Sequence, residues 1–422
     1  MKFPYGVLAS LLLVACDGGG PGGGDDFGRG TVPVPRGTGE TIFTTGQDPA
    51  NPFFKELGTN QRTCTTCHDP AAGWSITPTA LQDRFDATGG ADPVFRPLDG
   101  ATSPVAEVST LEARRAAYSA LLAKGLIRVG RPIPPGAELA LVAVDDPYQF
   151  ASANELSLFR RPLPATNLRF LTEIMWDTRE PTLAMQADDA TMGHAQATGV
   201  ERAAIDAAVA FESSLYSAQR EDEAAGDLTA GASGGAQALV TQPFHVGMND
   251  PTTTFDRDVF TMFAAWTQDG DQRAAIARGE RLFNTREFRI RDVGGLADQD
   301  GTCSTCHNAP NVGSRTVAGP LNIGTADERF RSDDLPLYTL RNTATGATTK
   351  TSDPGLALTT GKWSDIGKFK VPSLRGLAMR PPYFHNGLAR DVEQVLRFYE
   401  RKFDMDFSDR ERADLGAFLE AL

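Results

Sequence analysis

The sequence predicts a mainly α-helical protein built as two domains with long loop insertions. Three observations predict it. A Cys-x-x-Cys-His motif occurs twice, far apart in the 422-residue chain. The stretch Ala274 to Phe283, just before the second copy, reads as an amphipathic helix with small and apolar residues on one face. The chain then closes on a capping box, Ser408-Asp409-Arg410-Glu411, followed by an apolar face of Leu415, Phe418, Leu419 and Leu422. Strand signals are few and short, while 42 Gly and 27 Pro point to many loops.

Length and composition bound the rest. A chain this long favours two or three domains. Hydrophobic residues at 41% and charged residues at 23% are ordinary for a soluble globular protein with a sizeable core. Lys and Arg number 41 against 54 Asp and Glu, a net charge of −13 with no long basic run. That balance argues against nucleic acid as a partner. Five cysteines are too few for a disulfide scaffold at this length.

Residues 1–15 read as a lipoprotein signal peptide. Lys2 supplies a small positive charge, and the apolar run Val7 to Val14 is too short to span a bilayer. Leu13-Val14-Ala15-Cys16 resembles the bacterial lipobox, in which the cysteine becomes the lipidated first residue of the mature chain. An ordinary signal peptide that happens to contain a cysteine is the plainer alternative. Residues 16–40 form a Gly-rich tether without a core of its own. The expected location is the periplasm, with membrane contact only through acyl chains on Cys16.

The other four cysteines stand as Cys64-Thr65-Thr66-Cys67-His68 and Cys303-Ser304-Thr305-Cys306-His307. Each is the attachment signature of a c-type haem. Two thiols one turn apart add to the two vinyl groups of one porphyrin, and the histidine that follows ligates its iron. A four-cysteine zinc site leaves both histidines unexplained. A redox dithiol needs neither the repetition nor the histidine. The expectation is two covalently bound haems, one per domain, with cytochrome-c-like domains over residues 41–265 and 266–422. Ala218 to Val240, rich in Ala and Gly, is expected as a loop on the first domain.

Two further segments point to one family. Pro372-Ser373-Leu374-Arg375-Gly376 with Pro382-Tyr383-Phe384-His385-Asn386-Gly387 resembles a stretch of the bacterial di-haem cytochrome c peroxidases and the related MauG enzymes. Met175-Trp176-Asp177-Thr178-Arg179, with Gln186 ten residues after Trp176, resembles a second. The resemblance covers roughly Gly46 to Leu422. It implies that hydrogen peroxide meets the N-terminal haem and that the C-terminal haem handles electrons, with Trp176 coupling the two. The bland reading of Trp176 is a core residue at an interface. Where the family carries a distal glutamate, this sequence reads Thr191-Met192-Gly193-His194-Ala195-Gln196. Gln196 falls in the glutamate's register, and a glutamine cannot move a proton. His194 is therefore the candidate acid and base, because imidazole titrates near neutrality. His194 as an iron ligand, or as an ordinary structural histidine, stays open. Gln186 and Gln196 are expected to position peroxide, and Glu201 is a weaker alternative acid.

The resemblance also implies a second ligand for the C-terminal haem. Tyr399 matches the tyrosine of the MauG-like form, with Met379 and Met405 as alternatives and a core aromatic as the plain reading. His385 is not assigned as a ligand, and His245 has no motif around it. One calcium ion, held partly by carbonyls near Lys370 to Pro372, is a further implication. The implied partners are hydrogen peroxide and a small periplasmic electron donor, a cytochrome c or a cupredoxin, or else a protein substrate. An electron-transfer cytochrome with both irons closed is the alternative. Oxygenation of an organic substrate is a third, with apolar pieces such as Leu139 to Val144 in its pocket.

Overall fold

The computed structural model describes Phe27 and residues 30–268 and 271–422. The expected signal peptide, Cys16 and much of the tether lie outside the described residues. The helices are α1 (Pro78–Thr88), α2 (Leu111–Ala117), α3 (Ser119–Lys124), α4 (Leu183–Gly193) and α5 (Arg202–Ser213), then α6 (Asp271–Thr285), α7 (Cys303–Cys306), α8 (Ala357–Thr360), α9 (Val392–Phe403) and α10 (Asp409–Glu420). The strands are β1 (Thr38–Phe43), β2 (Ile127–Arg131), β3 (Leu139–Asp145), β4 (Leu156–Arg160) and β5 (Leu215–Asp222), then β6 (Gly226–Asp227), β7 (Phe288–Ile290), β8 (Gln299–Gly301), β9 (Leu337–Asn342) and β10 (Thr348–Thr351).

Helix takes up 31% of the structure and strand 17%, so the expectation of a mainly α protein is too strong. The strands concentrate in the insertions, where short apolar runs such as Leu139–Asp145 pair with distant partners rather than looping freely. β2 pairs antiparallel with β4, and β1 with β5, which also pairs with β6. A three-stranded sheet runs β10-β9-β3. In it Leu139 to Val144 forms an edge strand with Val142 and Val144 exposed, and it lines neither of the two cavities described below. Ala218 to Val240 is not one loop either, since it holds most of β5 and all of β6. Its Ala225 and Leu228 pack with Phe260, Phe263 and Phe418, away from the first haem motif.

Both sequence-predicted helices form. α6 encloses Ala274 to Phe283, and α10 starts from Ser408, whose side chain accepts from Glu411 N–H in a complete capping box. The two cross closely. A Cβ at Gly279 would collide with the Asp414 carbonyl, so only glycine lets the backbones meet there. Arg278 grips Asp414 with two 2.7 Å hydrogen bonds beside the crossing. Ile276 and Phe283 of α6, Leu396 of α9 and Leu415 and Phe418 of α10 form one apolar core against Cys303. A separate cluster of Leu81, Phe85, Phe95, Tyr118 and Leu121 packs against Cys67.

The boundary expected near residue 265 is crossed by strong contacts. β3 pairs with β9, and the Tyr338 hydroxyl donates to Ser157 O at 2.7 Å. Arg160 binds Asp353 through two hydrogen bonds of 2.7 and 2.9 Å. Among the described residues no helix is long and apolar enough to cross a membrane.

Candidate functional site

The two Cys-x-x-Cys-His segments fold alike, for the same local reason. The threonine before each first cysteine begins a tight turn, and its N–H donates to the threonine three residues on. The distances are 3.0 Å for Thr63 to Thr66 and 2.9 Å for Thr302 to Thr305. Each histidine N–H then closes the turn on the first cysteine's carbonyl, His68 on Cys64 at 3.0 Å and His307 on Cys303 at 3.1 Å. The turn brings both thiols and the imidazole to one side. The four thiols are unpaired, and burial pushes Cys64 and Cys303 up to about 12, so they are held protonated.

Each histidine is held in one tautomer. His68 Nδ1 lies 3.0 Å from the Trp74 carbonyl and His307 Nδ1 lies 2.6 Å from the Gly313 carbonyl. A carbonyl only accepts, so Nδ1 carries the proton and Nε2 keeps its lone pair. Burial lowers the affinity of both imidazoles for a second proton, His307 to about 4. A neutral imidazole with its Nδ1–H anchored to a carbonyl is the usual state of a metal-binding histidine.

Cys64, Cys67 and His68 open onto a cavity of about 340 Å³. Gln186, His194 and Trp176 line the same cavity. His194 caps α4, and its carbonyl accepts from Asn60 Nδ2 at 2.7 Å and from Arg62 at 3.2 Å. Its Nδ1 lies 2.6 Å from Asp99 Oδ2, which also accepts from Arg62 at 2.7 Å. Burial opposes ionisation of Asp99, but His194 and Arg62 outweigh it and hold the carboxyl at about 2. An ionised carboxylate fixes the Nδ1 proton of His194 and leaves its Nε2 free. His68 and His194 both line this one cavity.

Not every expected residue reaches the cavity. Gln196 does not line it. Gln196 stands at φ +57° beyond the helix end, and its Oε1 faces Asn60 Nδ2 at 3.5 Å. Glu201 sits exposed at the start of α5. Two residues missed by sequence reasoning do belong here. Asp99 comes from a loop with no motif around it. Glu212 of α5 is buried against the cavity with Oε1 unpaired, and burial raises its carboxyl to about 8.

Cys303, Cys306 and His307 open onto a second cavity of about 180 Å³. Tyr399 and Met405 line it, whereas Met379 does not. Tyr399 stacks on Phe403 with ring centroids 6.1 Å apart, and burial pushes its hydroxyl well above its usual range. Trp176 lines both cavities. Its Nε1 donates to the Arg161 carbonyl at 2.7 Å, and its ring meets His385 edge-on at 6.2 Å. His385 in turn stacks on Phe369 at 3.9 Å. His245 lies in a surface turn with Met248, far in sequence from either motif.

The lining fits the haem that the motifs call for. Arg161 is 4% exposed, lines both cavities and donates only to carbonyls, including Lys124 O at 2.9 Å and Ile76 O at 2.8 Å. Among the described residues Arg161 has no carboxylate partner, and a guanidinium buried without an anion is costly; a haem propionate at the wall shared by the two cavities would supply one. Among the described residues no group of three or more His, Cys, Asp or Glu side chains is arranged to hold a metal ion. The segment expected near calcium carries the buried ammonium of Lys370, 2.7 Å from the Glu173 carbonyl.

No family model matches the chain. It is 27% identical over 179 residues to a cytochrome-c peroxidase of Denitromonas iodatirespirans, covering 38% of this chain and 44% of that one. A cytochrome-c peroxidase of Pseudomonas sp. (strain SCT) is 31% identical over 140 residues, covering 28% and 36%. The methylamine utilization protein MauG of Paracoccus denitrificans is 26% identical over 162 residues, covering 36% and 39%. Each match spans less than half of the relative's length. A crystal structure described as a MauG-like protein associated with microbial copper homeostasis aligns over 93% of both chains, at 15% identity and a TM-score of 0.43.

Proposed function

Taking the chain as a sequence relative of the bacterial cytochrome-c peroxidase and MauG proteins, we propose that it is a di-haem oxidoreductase of the peroxidase type. Hydrogen peroxide is its substrate, at the N-terminal cavity. The observation that carries the reading is the pair of imidazoles on one cavity, His68 and His194, each with its proton fixed on Nδ1 and its Nε2 free. When bound, haem would supply the iron centre for reductive cleavage of the peroxide O–O bond; Cys64, Cys67 and His68 would hold it, and Cys303, Cys306 and His307 would hold a second.

The chain's own residues do the rest. His194 Nε2 takes the proton from one peroxide oxygen and gives it to the other, which leaves as water. Asp99, ionised and buried, keeps the imidazole in the tautomer this needs and stabilises it while it is protonated. Gln186 offers an amide in the same cavity to orient peroxide. Two electrons and two protons per peroxide give two waters. The electrons cross from the second cavity, with Trp176 between them. A small periplasmic cytochrome or cupredoxin is the donor, and a basic one suits the acidic surface. Residues 41–265 and 266–422 are the two haem units of this scheme. Cys16 is the lipid anchor that keeps the protein at a membrane in the periplasm.

Steady-state assay tests this reading. The purified holoprotein turns over hydrogen peroxide with a reduced small cytochrome as donor, and turnover no faster than free haem contradicts it. A second test concerns Tyr399. As the second ligand of the C-terminal iron its phenolate favours the oxidised state. Tyr399→Phe then changes the absorption and raises the potential of that haem alone. A spectrum identical to the parent's assigns the position to another group, of which Met405 is the one already in the cavity.

A further inference from the structure

The two cavities are lined by cations that the proposed reaction does not use. Arg161 lines both cavities and donates to the carbonyls of Lys124 and Ile76. Arg380 lines the second cavity and donates to Ser373 O at 2.7 Å and Arg375 O at 3.1 Å. Lys370 also lines both cavities and is 4% exposed. Its backbone N–H donates to the Trp176 carbonyl at 3.0 Å and its Nζ to the Glu173 carbonyl at 2.7 Å. It therefore brackets the turn that carries Trp176.

One of the three ammonium donors is used in that bond. Among the described residues Lys370 forms no ion pair. The Glu173 carboxylate accepts from Gly319 N–H and the Thr172 hydroxyl. Burial draws the ammonium down to about 8, against the pull of Glu173. A positive charge beside a redox centre favours the reduced form, and burial leaves that effect little screened by salt.

We propose that Lys370 is a fixed internal cation that raises the reduction potentials of both haems and steadies the Trp176 turn between them. The inference rests on the two-haem reading given above. Its position on the shared wall is what lets one residue act on both centres. A lysine elsewhere on either cavity would bias one centre against the other. Here both are poised together, so the driving force across Trp176 is set mainly by the ligands of each iron.

The test uses the holoprotein. Haem content is measured first, and fewer than two haems per chain overturns the two-haem reading and this proposal with it. With two present, both midpoint potentials are measured by spectroelectrochemistry in the parent, Lys370→Gln, Lys370→Met and Lys370→Arg. Gln keeps a donor for the Glu173 carbonyl but removes the charge, and Arg keeps the charge. Both potentials fall in Lys370→Gln and Lys370→Met and hold near the parent's in Lys370→Arg. Unchanged potentials in Lys370→Gln overturn the proposal, as does an equal fall in Lys370→Arg. If Lys370→Met does not fold, the Gln and Arg variants decide.

Discussion

Replacing His194 by alanine is expected to lower peroxide turnover by about two to four orders of magnitude, the usual worth of a positioned acid–base group. The loss is in the chemical step, so it appears in kcat as well as in kcat/KM. The site's structure is expected to survive, because Asp99 retains Arg62 at 2.7 Å and the backbone carbonyl of residue 194 still serves Asn60 and Arg62. The optical spectrum separates the two roles open to this histidine. An unchanged spectrum with lost turnover supports acid–base work. A change from low-spin to high-spin iron makes His194 an iron ligand and favours the electron-carrier reading, since an imidazole anchored by a carboxylate is also a common metal ligand. Asp99→Asn gives a smaller loss than His194→Ala, because the imidazole remains but its tautomer is no longer enforced.

The largest stability effect is expected at Asp177, the residue after Trp176. Its side chain is fully buried, and it accepts from Arg160 at 2.6 Å and from Arg179 at 2.9 Å. Arg160 has a second carboxylate in Asp353, whereas among the described residues Arg179 has besides Asp177 only Glu180 at 3.9 Å. Asp177→Ala therefore leaves Arg179 nearly uncompensated and weakens the anchor of the Trp176 turn. Breaking a buried pair from one side costs about 3–5 kcal/mol, read as a drop in the urea midpoint of the holoprotein. A loss under about 1 kcal/mol contradicts this. Burial opposes ionisation of Asp177, but Arg160 and Arg179 hold it well below the usual carboxylate range. A depressed carboxylate contributes its stability above the ordinary value near 4 and loses it as pH falls below that. The parent therefore loses stability on acidification below about pH 4, and the gap between parent and Asp177→Ala narrows there.

Features with local causes were the ones legible in the sequence. The motif turns, α6 with its apolar face, and the capping box of α10 depend on residues within a few positions of one another. Asp99 could not be read in the same way, because its partner His194 is 95 positions away and nothing between them marks the pair. Gln196 illustrates the limit of counting register. α4 ends at Gly193, so His194 stays at the helix cap beside the cavity while Gln196, at positive φ, has turned away. Strand content was missed for a related reason. Leu139–Asp145 is too short to declare itself, and its partner Leu337–Asn342 lies in the other half of the chain. The buried acid Glu212 was hidden inside the helical pattern of α5, where a single polar residue on an apolar face carries no signature.

Addition of one equivalent of hydrogen peroxide to the fully oxidised protein, and separately to the half-reduced protein, tests the central claim most directly. The haem absorption is followed in each. A rapid change in at least one form, abolished in His194→Ala, is the result predicted. Reaction only after half-reduction follows the pattern the resemblance implies for the cytochrome c peroxidases, and reaction from the oxidised form the MauG-like one. Spectra that stay inert in both forms contradict the assignment of peroxide chemistry to the cavity shared by His68 and His194.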